Sequence, residues 1–189
     1  MLDVALKFLA GEVNTYLKSR TGLTDDIVEL NPVVDEAGKY LISDGGVSIV
    51  LINMEEETAT REQTYEYQYH AGQHVKLQPE LKLNLYLMFA ANFKLYDQAL
   101  KYLSHVLTFF QSHKLFTPQS HPALDSSIQR LALDMQSLSF DQLNQVWAYI
   151  GGKHLPSVVY KARLIAIQDQ SQDGVQPPIS IVNTSAGGM

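Results

Sequence analysis

The chain has no cysteine among its 189 residues. Disulfides and thiolate metal sites are excluded, and the composition fits a reducing compartment. Charged residues make up only 18%, the formal net charge is −6, and the lysines and arginines stand scattered from Lys7 to Arg163. A duplex-binding surface needs clustered cations to displace counterions, so nucleic acid is not an expected partner. No run approaches the roughly 18 apolar residues of a membrane span. The opening MLDVALKFLAGEV carries an early Asp and no basic stretch ahead of a long apolar run, so it is no secretory signal. The expectation is a soluble, cytoplasmic protein with no membrane insertion.

Catalytic motifs are missing as well. No serine sits in a G-x-S-x-G elbow, and neither Gly45-Gly46 nor Gly151-Gly152 continues into a phosphate-binding loop. His70 and His74 are four apart, but in an expected turn and without the glutamate of a zinc-protease helix. His105 reads as a packing residue on a helix flank. Glu55, Glu56 and Glu57 could be taken for an acid–base pair or a cation site. Three consecutive carboxylates cannot all be buried without a large desolvation cost, so they read as a solvated edge able to dock a basic partner. Tyr65, Tyr67 and Tyr69 alternate along a strand with no cations around them, which favours sheet packing over base stacking. The expectation is no enzyme, no metal and no cofactor.

What is present is an ordinary core composition, 46% hydrophobic, in a length suited to one domain. Leu2, Ala5, Leu6, Leu9, Val13, Tyr16 and Leu17 form one helical stripe that Gly22 stops. Residues 27–34 make a short β-like run broken by Pro32, an edge or bent strand. Ser43-Asp44-Gly45-Gly46 carries the chemistry of a tight hairpin turn, and residues 47–53 read as a strand apolar on both faces. Residues 64–70 alternate like a strand, and 71–79 like a turn and short return.

Residues 81–93, LKLNLYLMFAANF, begin half-buried, with Leu81, Leu83, Leu85 and Leu87 opposed to Lys82 and Asn84, and then become apolar on both faces. Such a strand must be covered twice. A second helix spans about 96–113, with Ala99, Leu100, Leu103, Val106, Leu107 and Phe110 as its buried face. After a loop at Pro118 and Pro122, residues 128–139 read as a strand. Ser139 and Gln142 fit a capping box ahead of Leu143, Val146, Trp147 and Ile150 at helical spacing, closed by Gly151. Residues 157–168 form the last strand. The tail 169–189 is a flexible arm with one possible strand at 179–182. The expected fold class is α+β, a mixed or antiparallel sheet with three packed helices, the first two on one face and the third on the other.

Two long stretches, 83–111 and 138–167, resemble the N-terminal domain of the cap, or tail-terminator, protein of phage-tail-like contractile injection systems. The resemblance spans about residues 3–168 and is carried by Asn84-Leu85-Tyr86, Ala91-Asn92-Phe93, Leu138-Ser139-Phe140 with Leu143-Asn144, Trp147, and Leu155-Pro156-Ser157. It implies a tail-terminator-like domain over residues 1–168. It also implies a structural role at the baseplate-distal end of the tail, where a ring, six-fold in such caps, stops further addition of inner-tube and sheath subunits. The homo-oligomer and its tube or sheath partner follow from the resemblance alone. Candidate contact residues are Glu55, Glu56 and Glu57 and the tail residues Ile179, Ile181 and Val182. The competing reading is a transient assembly chaperone or adaptor for the same subunits.

Overall fold

The computed structural model describes residues 1–57 and 80–166, and the backbone path of the short strands 66–70, 73–77 and 175–176. In chain order these residues form α1 (Leu2–Thr21), β1 (Val28–Glu29), β2 (Gly46–Glu56), β3 (Glu66–His70), β4 (Gln73–Leu77), β5 (Lys82–Asn92), α2 (Tyr96–Ser112), β6 (Leu115–Phe116), β7 (Ile128–Met135), α3 (Phe140–Ile150), β8 (Ser157–Ala166) and β9 (Val175–Gln176). Six strands make the main sheet in the order β1-β2-β5-β8-β7-β6. Only β1 runs parallel to its neighbour. The α+β class with three helices and a mixed sheet is as the sequence implies.

The period of the apolar residues decides which side of the sheet each element covers. In α1, Ala5, Leu9, Val13 and Leu17 are all fully buried. The helix ends where Gly22 takes φ 73° and donates its N–H to the Lys18 carbonyl, a left-handed position that suits glycine. Along β5, the odd positions Leu83, Leu85, Leu87, Phe89 and Ala91 join α1 and α2 in one hydrophobic layer. The even positions Met88 and Ala90 join Trp147 of α3, Val159, Val33 and Ile42 in a second layer. Both faces of the doubly apolar strand are thus covered within the chain, by two helices on one side and by the third helix plus the segment around 33–42 on the other. Aromatic rings fix the larger layer: Phe89, Phe110 and Tyr160 meet at centroid distances of 4.7–5.8 Å, and Phe8 meets Phe116 edge-on at 5.4 Å.

Several expectations need correction. The run 27–34 joins the main sheet only at Val28 and Glu29, as an edge strand before Pro32; after it Val34 makes an isolated antiparallel bridge to Tyr40, and the β1 backbone is held partly by a side chain. Asn14, buried inside the α1 stripe, accepts the Ile27 and Val28 N–H groups at 3.0 and 2.9 Å and donates to the Val28 carbonyl at 2.9 Å. Gly45 does adopt φ 88°, but the turn makes no strand hairpin; its N–H bonds the Asn92 carbonyl and the chain passes straight into β2. The strand expected at 47–53 extends to Glu56, and only its first half is buried on both faces. In α2, Leu100 is 45% exposed, while Phe109, not assigned to the core, is buried against Tyr16 of α1 and Phe116. The packing of α1 on that flank widens the buried arc toward Phe109. The two-residue strand β6 has no sequence signature.

A second sheet has the order β3-β4-β9. This order repeats that of the central strands β2-β5-β8, because β3 follows β2, β4 precedes β5 and β9 follows β8 in the chain. β2 and β8 end, and β5 begins, at the same end of the main sheet, where Glu56 pairs with Leu83 and Lys82 with Ile165. The described strand of the tail is therefore Val175–Gln176, bound to β4 of its own chain. Residues 64–65 and the tail strand expected at 179–182 lie outside the described residues.

Candidate assembly surface

α3 covers only part of its face of the sheet. It begins with the capping box read from the sequence: the Gln142 N–H donates to Ser139 Oγ at 3.2 Å, and the Ser139 N–H to Gln142 Oε1 at 2.9 Å. From there Leu143, Val146 and Ile150 pack half-buried around Trp147, over Met88, Ala90 and Val159. His154 lies 5.3 Å from the Trp147 ring. Pro156 directly precedes β8, and its carbonyl accepts the Ala91 N–H at 2.9 Å. At the other end of the face, beyond Met88, β5 presents Tyr86, Asn84 and Lys82, and β8 presents Lys161 and Arg163, which pair with Tyr86 and Asn84 in the ladder.

Here the structure joins residues that the sequence left apart. A bulge between Leu51 and Asn53 shifts the register, so Glu55 stands opposite Asn84 and next to Tyr86. The Tyr86 hydroxyl donates to Glu55 Oε2 at 3.0 Å, and Asn84 Nδ2 donates to Glu57 Oε2 at 2.9 Å. Glu56 alternates to the opposite face, across from Leu83. Burial first, and then the bond to Glu55 and the charges of Glu55 and Glu57, hold the Tyr86 phenol above its ordinary pKa. Two of the three carboxylates are thus anchored by motif residues of β5, and the run is not a uniformly solvated edge.

Facing this acidic side is a basic one. Lys161 Nζ lies 5.9 Å from the centre of the Tyr86 ring, and Arg163 is ion-paired with Asp134 of β7. Arg130, Arg163 and Lys82 border a groove of about 450 Å³ with Glu57 and Asn84. A wider groove of about 610 Å³ separates Glu55 and Tyr86 from Gln142, Gln145 and Tyr149 of α3. The basic half was missed in the sequence, although Lys161 and Arg163 interrupt the apolar alternation of Val158, Tyr160, Ala162 and Leu164. Bidirectional charge on an open sheet suits docking against a protein surface of alternating sign. Among the described residues no three His, Asp or Glu side chains are grouped to hold a metal. No described helix is long and apolar enough to cross a membrane.

The remaining motif residues divide between packing and surface. Asn92 Nδ2 donates to the Ile42 carbonyl at 2.8 Å, and Phe93 stacks on Tyr102 at 4.9 Å. Phe140 is 93% exposed and Asn144 is also on the surface, so neither contributes to the core. Ile179, Ile181 and Val182 lie outside the described residues.

The fold is shared with two structures solved by cryo-electron microscopy. One is the sheath/tube terminator of the PVC extracellular contractile injection system in its extended state, with TM-score 0.64 and 17% identity over 94% of this chain and 63% of that one. The other is the tube-terminating cap of the anti-feeding prophage, with TM-score 0.63 and 14% identity over 94% of this chain and 60% of that one. The chain therefore spans about three fifths of the length of the terminators it matches. A search of curated proteins finds no match. The family model described as Pvc16 N-terminal domain matches residues 5–181, and the protein belongs to that family.

Proposed function

We propose that this protein is a structural cap that terminates the baseplate-distal end of the tube, the sheath or both in a contractile injection system, and that it does so as a ring, six-fold as in the caps it resembles. The observation that carries this reading is the spread of the fold: two terminators match 94% of the chain, inside a family defined by such a domain. Residues 1–168 act as the terminator domain and 169–189 as an arm. The protein is made in the cytoplasm and stays on the finished particle, bound to inner-tube or sheath subunits. Its contact surfaces are the Glu55, Glu57 and Tyr86 face and the tail residues Ile179, Ile181 and Val182.

The test is electron microscopy of particles from cells lacking the gene, beside the complemented strain. Missing, unsheathed or overlong tails, restored by the gene, are expected. Tails of normal length in the deletion strain overturn the proposal. Mass spectrometry of purified particles separates a resident cap from a transient chaperone, which would be absent from them.

A further inference from the structure

The groove between α3 and the strands β2 and β5 has a one-sided chemistry. Among the described residues, Glu55 is the only charged side chain that lines it. Its carboxylate is held in place: Asn53 Nδ2 donates to Oε1 at 3.2 Å, and the Tyr86 hydroxyl donates to Oε2 at 3.0 Å. Each oxygen keeps a lone pair for a further donor. No cation among the described residues forms an ion pair with it. Lys161 lies against the Tyr86 ring instead, 5.9 Å from its centre.

The rest of the lining narrows what this carboxylate can receive. Gln136 and Gln145 add amide oxygens, which accept and carry no charge. Gln142 has its own oxygen engaged by the Ser139 N–H in the capping box. Tyr149 lines the same groove from α3 and is 87% exposed, so its ring is open to a ligand. A fixed carboxylate, neutral acceptors and an open aromatic ring together match a guanidinium. That group is planar, carries five donors, pairs a carboxylate through two parallel bonds and stacks on aromatic faces. An ammonium, a compact charge with three donors, uses less of this lining. Ile52, Val146 and Val159 give the groove an apolar strip that suits the methylene stem of arginine.

We propose that this groove receives an arginine side chain presented by the inner-tube or sheath subunit. The inference rests on the cap reading for its partner and adds what that partner presents to the Glu55 and Tyr86 face.

The direct probe is N-acetyl-arginine amide, titrated into the isotope-labelled full chain and followed by NMR, with N-acetyl-citrulline amide as the uncharged isostere. Saturable shifts of the Gln136 and Gln145 side-chain amides are expected, with affinity lowered about tenfold by citrulline or by Glu55→Gln. Glu55→Gln keeps an acceptor for the Tyr86 hydroxyl, and Tyr149→Ala removes an exposed ring, so both variants are expected to keep the wild-type melting temperature. In the complemented deletion strain, either variant is expected to give particles depleted of this protein by mass spectrometry, with overlong tails. An equal response to both probes, or none, overturns the arginine site. Variants retained on particles of normal length overturn it too, and in both cases the cap reading stands. Should Glu55→Gln lower the melting temperature, Tyr149→Ala carries the particle test alone. Tails of normal length in the deletion strain overturn the cap reading instead, and the titration then decides the site by itself.

Discussion

Asn14 replaces a missing strand partner with a single side chain. It holds two N–H groups and one carbonyl of the β1 region from within an apolar helix stripe, so removing it leaves the buried N–H and carbonyl of Val28 without this partner. Asn14→Ala is expected to cost about 3 kcal/mol of stability, seen as a lower urea midpoint with an unchanged slope. The signal was present in the sequence, since Asn14 falls between Ala10 and Leu17 at core spacing. Nothing local said which backbone it would serve, because the partner lies thirteen residues away in a segment without regular periodicity. Tyr160 makes a second prediction at this scale. Burial pushes its phenol from 10.0 up to about 12, so the folded state keeps a proton that the unfolded chain releases. That contribution is complete below pH 10 and is lost as pH rises toward 12. Tyr160→Phe is therefore expected to reduce the fall in stability across that interval, measured by urea unfolding on either side of pH 10.

Elements with their own local signals were the legible ones. α3 could be read to the residue because its start, stripe and stop are all written in neighbouring side chains. Ser139→Ala is expected to cost about 1 kcal/mol and to speed hydrogen exchange in the first turn of α3 more than in α1 or α2. The strands β1 and β6 were not legible in extent, since two-residue strands exist only because a longer strand lies beside them. The buried arc of α2 was misjudged for the same reason: its own periodicity favoured Leu100, and only the position of α1 exchanges that residue for Phe109. The candidate surface was half legible. The acidic run and the β5 motif could be seen separately, but the bulge that joins Glu55 to Tyr86 is a property of the paired sheet.

At the scale of the whole molecule, the two hydrophobic layers are unequal. Trp147 is the one buried residue of α3, so the hold of this helix on the smaller layer depends on one large side chain. Trp147→Ala is expected to cost about 3–5 kcal/mol and to leave α1 and α2 packed until global unfolding, which hydrogen exchange of the Leu9 and Val106 amides would check. The directions of β2, β5 and β8 carry a mechanical consequence. Because β2 and β8 end and β5 begins at one end of the sheet, tension applied there and resisted at the opposite end runs along the strands. The hydrogen bonds of the two central ladders then share the load in shear and must fail together. Across the strands, load falls on the two-residue pairings of β1 and β6, which open one bond at a time. The fold is therefore stiffer along the strands of β2, β5 and β8 than across them.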